Sequence, residues 1–156
     1  MTGSEMDEIY LIPMQQQMLA AQQELRDCNA YSVRFGLTLR ENDIAELVAS
    51  RAEALRAAGR IEFGGGILPK LIRAFCDSPF IMQEDYAAML AELQEAFYRF
   101  KNEATDRLTD DELIGLMVNA FNGRAQGSAE YLAEISLEAL LRCAVDERGN
   151  NAGGLY

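Results

Sequence analysis

The stretch QEDYAAMLAELQEAFYRFKNEAT, residues 83–105, decides the fold class. Its large apolar residues recur at intervals of four, three, four and three positions: Tyr86, Leu90, Leu93, Phe97 and Phe100. That spacing places them on one face of an α-helix, because a helix turns once every 3.6 residues. The stretch therefore predicts a helix from about Gln83 to Thr105 whose apolar face packs against other helices.

Capping residues mark the ends of two further predicted helices. Thr109 and Glu112 have the spacing of a capping box, in which each side chain accepts from the backbone amide of the other residue. Thr38 and Glu41 have the same spacing before an earlier apolar stripe, and Gly59 is placed to end that helix in the left-handed conformation. Competing starts for the same helix are Asn42 and Asp43.

Apolar periodicity predicts four more helices. They run from Pro13 to about Asn29 with an extension towards Phe35, from glycines 64–66 to Asp77, from Ser128 through Leu132, and from Ser136 through Cys143. The predicted fold is all-α, a single compact helical bundle of about six to seven helices. Residues 9–147 are expected to form one globular domain, between a polar lead-in at 1–8 and a flexible tail at 148–156.

The net charge and the absence of histidine argue against several classes of function. The chain has 156 residues, a formal net charge of −11 and no histidine. A strongly acidic protein repels phosphate backbones, so we expect no nucleic-acid binding. Without histidine, the common zinc sites and the Ser-His-Asp and Cys-His catalytic arrangements cannot form. We expect no metal and no cofactor, and the sequence leans towards a protein that is not an enzyme.

The cysteines and the N-terminus bear on location. Cys28, Cys76 and Cys143 are far apart and form no Cys-x-x-Cys pair. Residues 1–10 are acidic and lack the apolar run of a secretory signal, and no apolar run is long enough to cross a bilayer. These features predict a cytoplasmic protein with reduced thiols and no membrane association.

A glycine turn in residues 51–73 is the strongest candidate for a ligand site. This segment has five basic and two acidic side chains, a balance of +3. Amides at the start of a helix point towards an incoming anion, and glycines permit close approach. The candidate residues for binding a phosphate or carboxylate are Arg60, Gly64, Gly65, Gly66, Lys70 and Arg73, with Glu62 or Cys76 supplying any chemistry.

A structural interpretation competes with this site. No Gly-x-x-x-x-Gly-Lys-Ser/Thr motif is present, and Pro69 removes one of the amides that would bind an anion. The glycines would then form a tight turn that lets two helices pack closely. Whether Arg124 lies near Arg60 cannot be read from the sequence. The acids 110–112 are better explained as first-turn residues that complement a helix dipole than as a metal site.

The N-terminal helix offers a candidate surface for a protein partner. Met14, Gln15 and Met18 place adaptable apolar side chains beside an amide side chain. Such a surface suits a protein partner or a second copy of the chain. Packing onto the protein's own core is the alternative.

Three segments resemble a small bacterial protein family of unknown function: residues 60–66, 75–79 and 100–103. The similarity extends from Ile9 to about Arg142. It implies a bacterial, cytoplasmic, single-domain protein, and it implies no activity, cofactor or site residue. Our leading hypothesis is a protein-interaction or regulatory module, and the alternative is a protein or enzyme that binds a small anion through the start of the helix at Gly64–Gly66.

Overall fold

Seven α-helices account for most of the chain that this computed structural model describes, which is residues 3–62, 64 and 66–144, with side chains from residue 15 onward. They are α1 (Gly3–Ser32), α2 (Glu41–Ala58), α3 (Leu68–Phe75), α4 (Tyr86–Glu103), α5 (Asp110–Asn122), α6 (Ala129–Glu134) and α7, whose described part is 137–144. Two short 3₁₀ helices, Val33–Phe35 and Gln83–Asp85, follow α1 and precede α4. No strand occurs among these residues, and the predicted all-α bundle is confirmed.

Most predicted helix ends are confirmed. The Thr109 hydroxyl accepts from the Glu112 amide at 3.1 Å, and the Glu112 carboxylate accepts from the Thr109 amide at 3.2 Å. Gly59 ends α2 in the left-handed conformation, with φ 69°. Ser128 caps α6 by accepting from the backbone amide of Tyr131. Pro69 lies in the first turn of α3, where its missing N–H breaks no helical bond.

Two predicted starts are wrong. Helix α1 begins at Gly3 rather than at Pro13, so Pro13 lies inside the helix. Proline removes one backbone hydrogen bond there, while the turns on either side keep theirs. The 3₁₀ helix at Gln83–Asp85 replaces the first turn predicted for α4, which begins at Tyr86.

The predicted capping box at Thr38 is also wrong. The backbone of Thr38 exchanges two hydrogen bonds with the side-chain amide of Gln83, at 2.8 and 2.9 Å, and lies outside the helix. Helix α2 begins at Glu41, and the Asp43 carboxylate accepts from the Arg40 amide at 2.9 Å. Asp43, the competing start, is therefore the acid that caps the helix.

Helices α2 and α4 run parallel. Three contacts join the two helices or the residues just before them at a nearly constant separation in sequence: Thr38 with Gln83 before the helices, and Ser50 with Gln94 and Ala58 with Asn102 within them. Their separations are 45, 44 and 44 residues. A constant separation requires both helices to point the same way. The intervening segment, with α3, returns the chain to the starting end of the pair.

The buried faces form one apolar core. All five residues of the stripe in α4, from Tyr86 to Phe100, are buried. Across α3 and α5, the rings of Phe75 and Phe121 meet edge to face, with centroids 5.3 Å apart. Edge-to-face contact is a favoured geometry for aromatic pairs. The predicted burial of the α4 face is confirmed.

Some sequence predictions stay predictions. Helix α1 continues through residues 8 and 9, and the domain boundary placed there has no further test. The tail at 148–156 lies outside the described residues. None of the helices in the described part of the chain has both the length and the hydropathy needed to span a bilayer.

Candidate functional site

The glycine turn depends on backbone conformations that favour glycine. Gly64 and Gly66 have φ of 59° and 57°, in the left-handed region, where a side chain is strained. Gly65 lies outside the described residues. The turn carries the chain from the end of α2 to Ile67, directly before α3.

A carboxylate of the chain itself lies at the start of α3. Glu62 Oε1 accepts a hydrogen bond from the Ile67 amide at 3.3 Å and one from the Tyr98 hydroxyl at 2.5 Å. It also forms an ion pair with Arg51, with Nε and Oε1 3.5 Å apart. An external anion at this amide would have to displace Glu62.

Arg51 joins this cluster from α2. Its side chain is only 6% exposed, and its Nη1 donates to the carbonyl of Gly64. A Cβ atom added at Gly66 would lie 2.6 Å from Arg51 Nη2 and would also meet the Glu62 carboxylate. A side chain at this position would be strained by the φ of 57° and would have to displace the ends of the Arg51 and Glu62 side chains. We call Arg51, Glu62 and Tyr98 the buried polar cluster.

Sequence reasoning did not single out Arg51 as a site residue. A signal was present, because Arg51 falls on the apolar stripe of α2, four residues before Leu55 and three after Val48. A cation on a buried face requires a partner, since an unpaired buried charge is costly. That partner is Glu62.

The predicted anion-binding cations lie in two places, and each has a partner within the chain. Arg60 donates to Asn102 at 2.7 Å and forms an ion pair with Asp106 at 2.6 Å, near the end of α4. Lys70 pairs with Asp111 at 3.1 Å. Lys70 and Arg73 line one open cleft of about 540 Å³ between α3 and α5. In addition, the Arg73 guanidinium lies over the ring of Tyr31.

One small cleft includes residues from both predicted sites. Met18 and Gly64 line a cavity of about 170 Å³ between α1, α2 and the glycine turn. Its apolar wall includes Ala21, Val48 and Leu55, and its polar wall includes members of the buried polar cluster. The side chain of Gln15 is exposed, and that of Met14 lies outside the described residues.

A longer groove lies along the parallel helices. Two cavities, of about 570 and 360 Å³, adjoin α2 and α4, and both include Ser50. We call them together the α2–α4 groove. Alanines and acidic side chains make up most of its lining: Ala54, Ala57, Ala58, Ala87, Ala88, Ala91, Glu46, Glu53, Glu84 and Glu95.

The cysteines show no sign of activation. Cys28, Cys76 and Cys143 are all buried as free thiols. Burial raises the pKa of Cys28 and of Cys76 above the ordinary thiol value. A nucleophilic cysteine needs the opposite shift, because the thiolate is the reactive form. Packing explains Cys76 better than the chemistry considered for it.

The acids at the start of α5 behave as first-turn residues. Asp110 pairs with Lys101 at 2.8 Å, and Asp111 pairs with Lys70. No group of three or more potential metal ligands lies together in the described ranges. The cluster therefore serves the helix start and its neighbouring cations.

These features define an all-α protein with a buried polar cluster at its glycine turn and an acidic groove along two parallel helices. The chain belongs to DUF6323, a family of unknown function, whose profile matches residues 24–148. The predicted membership of a family of unknown function is confirmed. No curated protein matches the chain, and no solved structure does either.

Proposed function

We propose that the protein is a non-enzymatic protein-interaction module, of the kind used in regulation, that pairs with a second copy of itself through α1. The observation that carries this proposal is the exposure of residues 15–20, every one of which faces solvent. Six consecutive positions cover all sides of a helix. Side chains on every side of this part of α1 are therefore exposed, although Gln17 and Met18 also line the small cleft against α2.

An exposed helical segment is stabilised when a partner covers its apolar side chains. Helices draw most of their stability from packing an apolar face, and isolated helical segments are marginal in water. Met18 and Leu19 in this segment are 48% and 64% exposed. Burying them against a partner helix would supply the missing contacts, which supports association through this segment.

Charge favours a second copy as the partner. The chain carries a net charge of −11, so most of its surface repels another copy. Residues 9–23 contain no charged side chain at all. Two copies can meet there with little repulsion, and their glutamine side chains can bond to each other across the contact. Residues 9–23 also precede the part matched by the family profile.

A bacterial origin and a cytoplasmic location belong to the same proposal. The three cysteines occur as buried free thiols, which supports a reducing compartment. The resemblance at residues 60–66, 75–79 and 100–103 supports the bacterial origin.

Light scattering tests the pairing directly. One chain has a mass of 17.3 kDa, and we expect a particle of about twice that mass at a concentration of about 100 μM. The double variant Met18→Glu/Leu19→Glu should be monomeric, because its charges would meet across the contact. The control Val33→Glu/Met82→Glu places the same charges on two other exposed apolar residues and should stay dimeric. A monomeric wild-type protein, or equal loss of pairing in both variants, would overturn the proposal.

A second candidate function is the binding of a small anion, favoured by Lys70 and Arg73 lining one cleft. Inorganic phosphate and citrate should then raise the melting temperature, because a ligand at a hundredfold excess over its Kd stabilises a fold by about 2.7 kcal/mol. Arg73→Gln should abolish that rise, while Arg60→Gln should leave it unchanged. No rise with either anion would remove this candidate.

A further inference from the structure

The α2–α4 groove has the dimensions of a helix-binding site. Its lining on α2 extends from Asp43 to Ala58, and its lining on α4 and the preceding 3₁₀ helix extends from Glu84 to Asn102. At 1.5 Å per residue, the α2 side is about 22 Å long. That length accommodates about four turns of another helix laid along the groove.

Small side chains in the groove allow another helix to pack closely against α2 and α4. Alanines on both helices line the groove, among them Ala54 and Ala57 on α2 and Ala88 and Ala91 on α4. Alanine walls let a third helix come close to both backbones, and they supply apolar surface to bury. A partner helix therefore needs small or apolar residues on the face that enters.

The rims of the groove carry acidic side chains that have no ion-pair partner among the described residues. Glu46, Glu53, Glu84 and Glu95 are exposed, and none of them forms an ion pair with any residue that the structure describes. The one cation of the lining, Arg99, is already held by Glu103 and by the carbonyl of Leu132. The groove thus offers a row of unpaired negative charges on either side of an apolar floor.

From these observations we infer that the α2–α4 groove binds a basic amphipathic helix of a partner protein. Small apolar residues of that helix would lie on the alanine floor, and its lysines or arginines would reach the glutamates on both rims. This is the helix-in-groove mode of recognition, with charge complementarity selecting the partner. The inference is independent of self-pairing through α1, because the two surfaces share no residue.

The test uses two end-capped peptides of about 20 residues, a length at which alanine-rich sequences become helical. One contains alanine and lysine, and the other has glutamate in place of each lysine. Binding of the fluorescent peptides to the whole protein is followed by anisotropy at low and at moderate salt. We expect binding of the lysine peptide only, and we expect it to weaken as salt is added.

Matched variants locate the site. Glu53→Lys/Glu95→Lys should weaken binding by about tenfold or more, because two rim charges then repel the peptide. Asp77→Lys/Glu138→Lys makes the same change in net charge at exposed acids that lie outside the helices lining the groove, and it should alter binding by no more than about twofold. Ala57→Leu/Ala88→Leu fills the groove without changing any charge and should also weaken binding.

Three results would overturn the inference: no binding of the lysine peptide, equal binding of both peptides, or equal weakening in the two charge-reversal variants. Light scattering on Glu53→Lys/Glu95→Lys separates the two proposals. Its mass should match that of the wild type, whether or not the wild type pairs.

Discussion

Arg51 of α2 and Glu62 of the following connector form an ion pair in which the guanidinium is almost completely buried, with Nε and Oε1 3.5 Å apart. The Glu62 carboxylate is 21% exposed and also accepts from Tyr98 and from the first amide before α3. One carboxylate thus joins α2, α4 and the glycine turn. The site first considered for an external anion is occupied by an internal one.

Replacing Glu62 by glutamine should destabilise the protein strongly. Glutamine keeps an oxygen acceptor for Tyr98 but leaves the Arg51 charge buried without a counter-charge. Breaking a buried ion pair in this way costs about 3 kcal/mol or more. Urea unfolding followed by circular dichroism measures the loss. The same substitution at Glu41, whose pair with Arg26 is exposed, should cost far less. Similar losses at both positions would show that the buried pair has no special role.

Gly66→Ala should cost more than Gly36→Ala. Both glycines have a left-handed φ, of 57° and 78°, so both substitutions incur the backbone strain of about 1 kcal/mol. A Cβ at Gly36 meets nothing within 4 Å, whereas a Cβ at Gly66 meets Arg51 and Glu62. The difference in unfolding free energy between the two variants measures the displacement of the ion pair. Equal costs would mean that the cluster moves aside freely.

Thr109→Ala should reduce stability by about 1 kcal/mol, because it removes the side-chain cap of α5. Thr38→Ala is the matched control. Thr38 belongs to the same sequence pattern but contacts Gln83 only through its backbone. Thermal unfolding should therefore separate the two variants clearly. A larger loss at Thr38 would mean that its side chain caps α2 in solution.

Stability should fall in alkaline solution. Burial raises the pKa of Tyr86 and of Tyr98, and the hydrogen bond to Glu62 raises that of Tyr98 further. Below the ordinary tyrosine value of 10.0, both the folded and the unfolded state keep these protons. Above it, the unfolded state loses them and the folded state does not, so the free energy of unfolding decreases as pH rises.

Urea unfolding between about pH 8 and pH 11 follows this effect. The buried thiols add a decline that begins at a lower pH, because their ordinary pKa is 9.0. Tyr98→Phe should flatten the decline above pH 10, after allowance for its own loss of stability. An unchanged slope would contradict the assignment of Tyr98.

Local signals in the sequence were sufficient for most helix ends. The box at Thr109, the left-handed Gly59 and Pro69 in a first turn act within a few residues, so the chain near them fixes their conformation. The box at Thr38 failed because Gln83, far along the chain, takes both backbone groups of Thr38. Nothing in the sequence around Thr38 indicates that Gln83 takes those backbone groups.

The site was harder to predict than the helices. A count of charges along residues 51–73 cannot show that Arg60 meets Asp106 across the bundle, or that Arg51 points inward. Likewise, the α2–α4 groove exists only because two helices run parallel, and no local pattern encodes which faces meet. Burial could have been inferred for Arg51 from its place on the α2 stripe, but its partner could not.

The parallel pairing of α2 and α4 also bears on the order of folding. Neighbouring antiparallel helices can pair after closing a short loop, but α2 and α4 must bring together positions 44 residues apart. Closing a longer loop loses more chain entropy, and proteins rich in distant contacts fold more slowly than those with local ones. During synthesis, α1 and α2 can therefore pair early, before α4 has left the ribosome. In that interval the nascent chain exposes the side of α2 that contacts α4 in the folded protein, which includes Ser50.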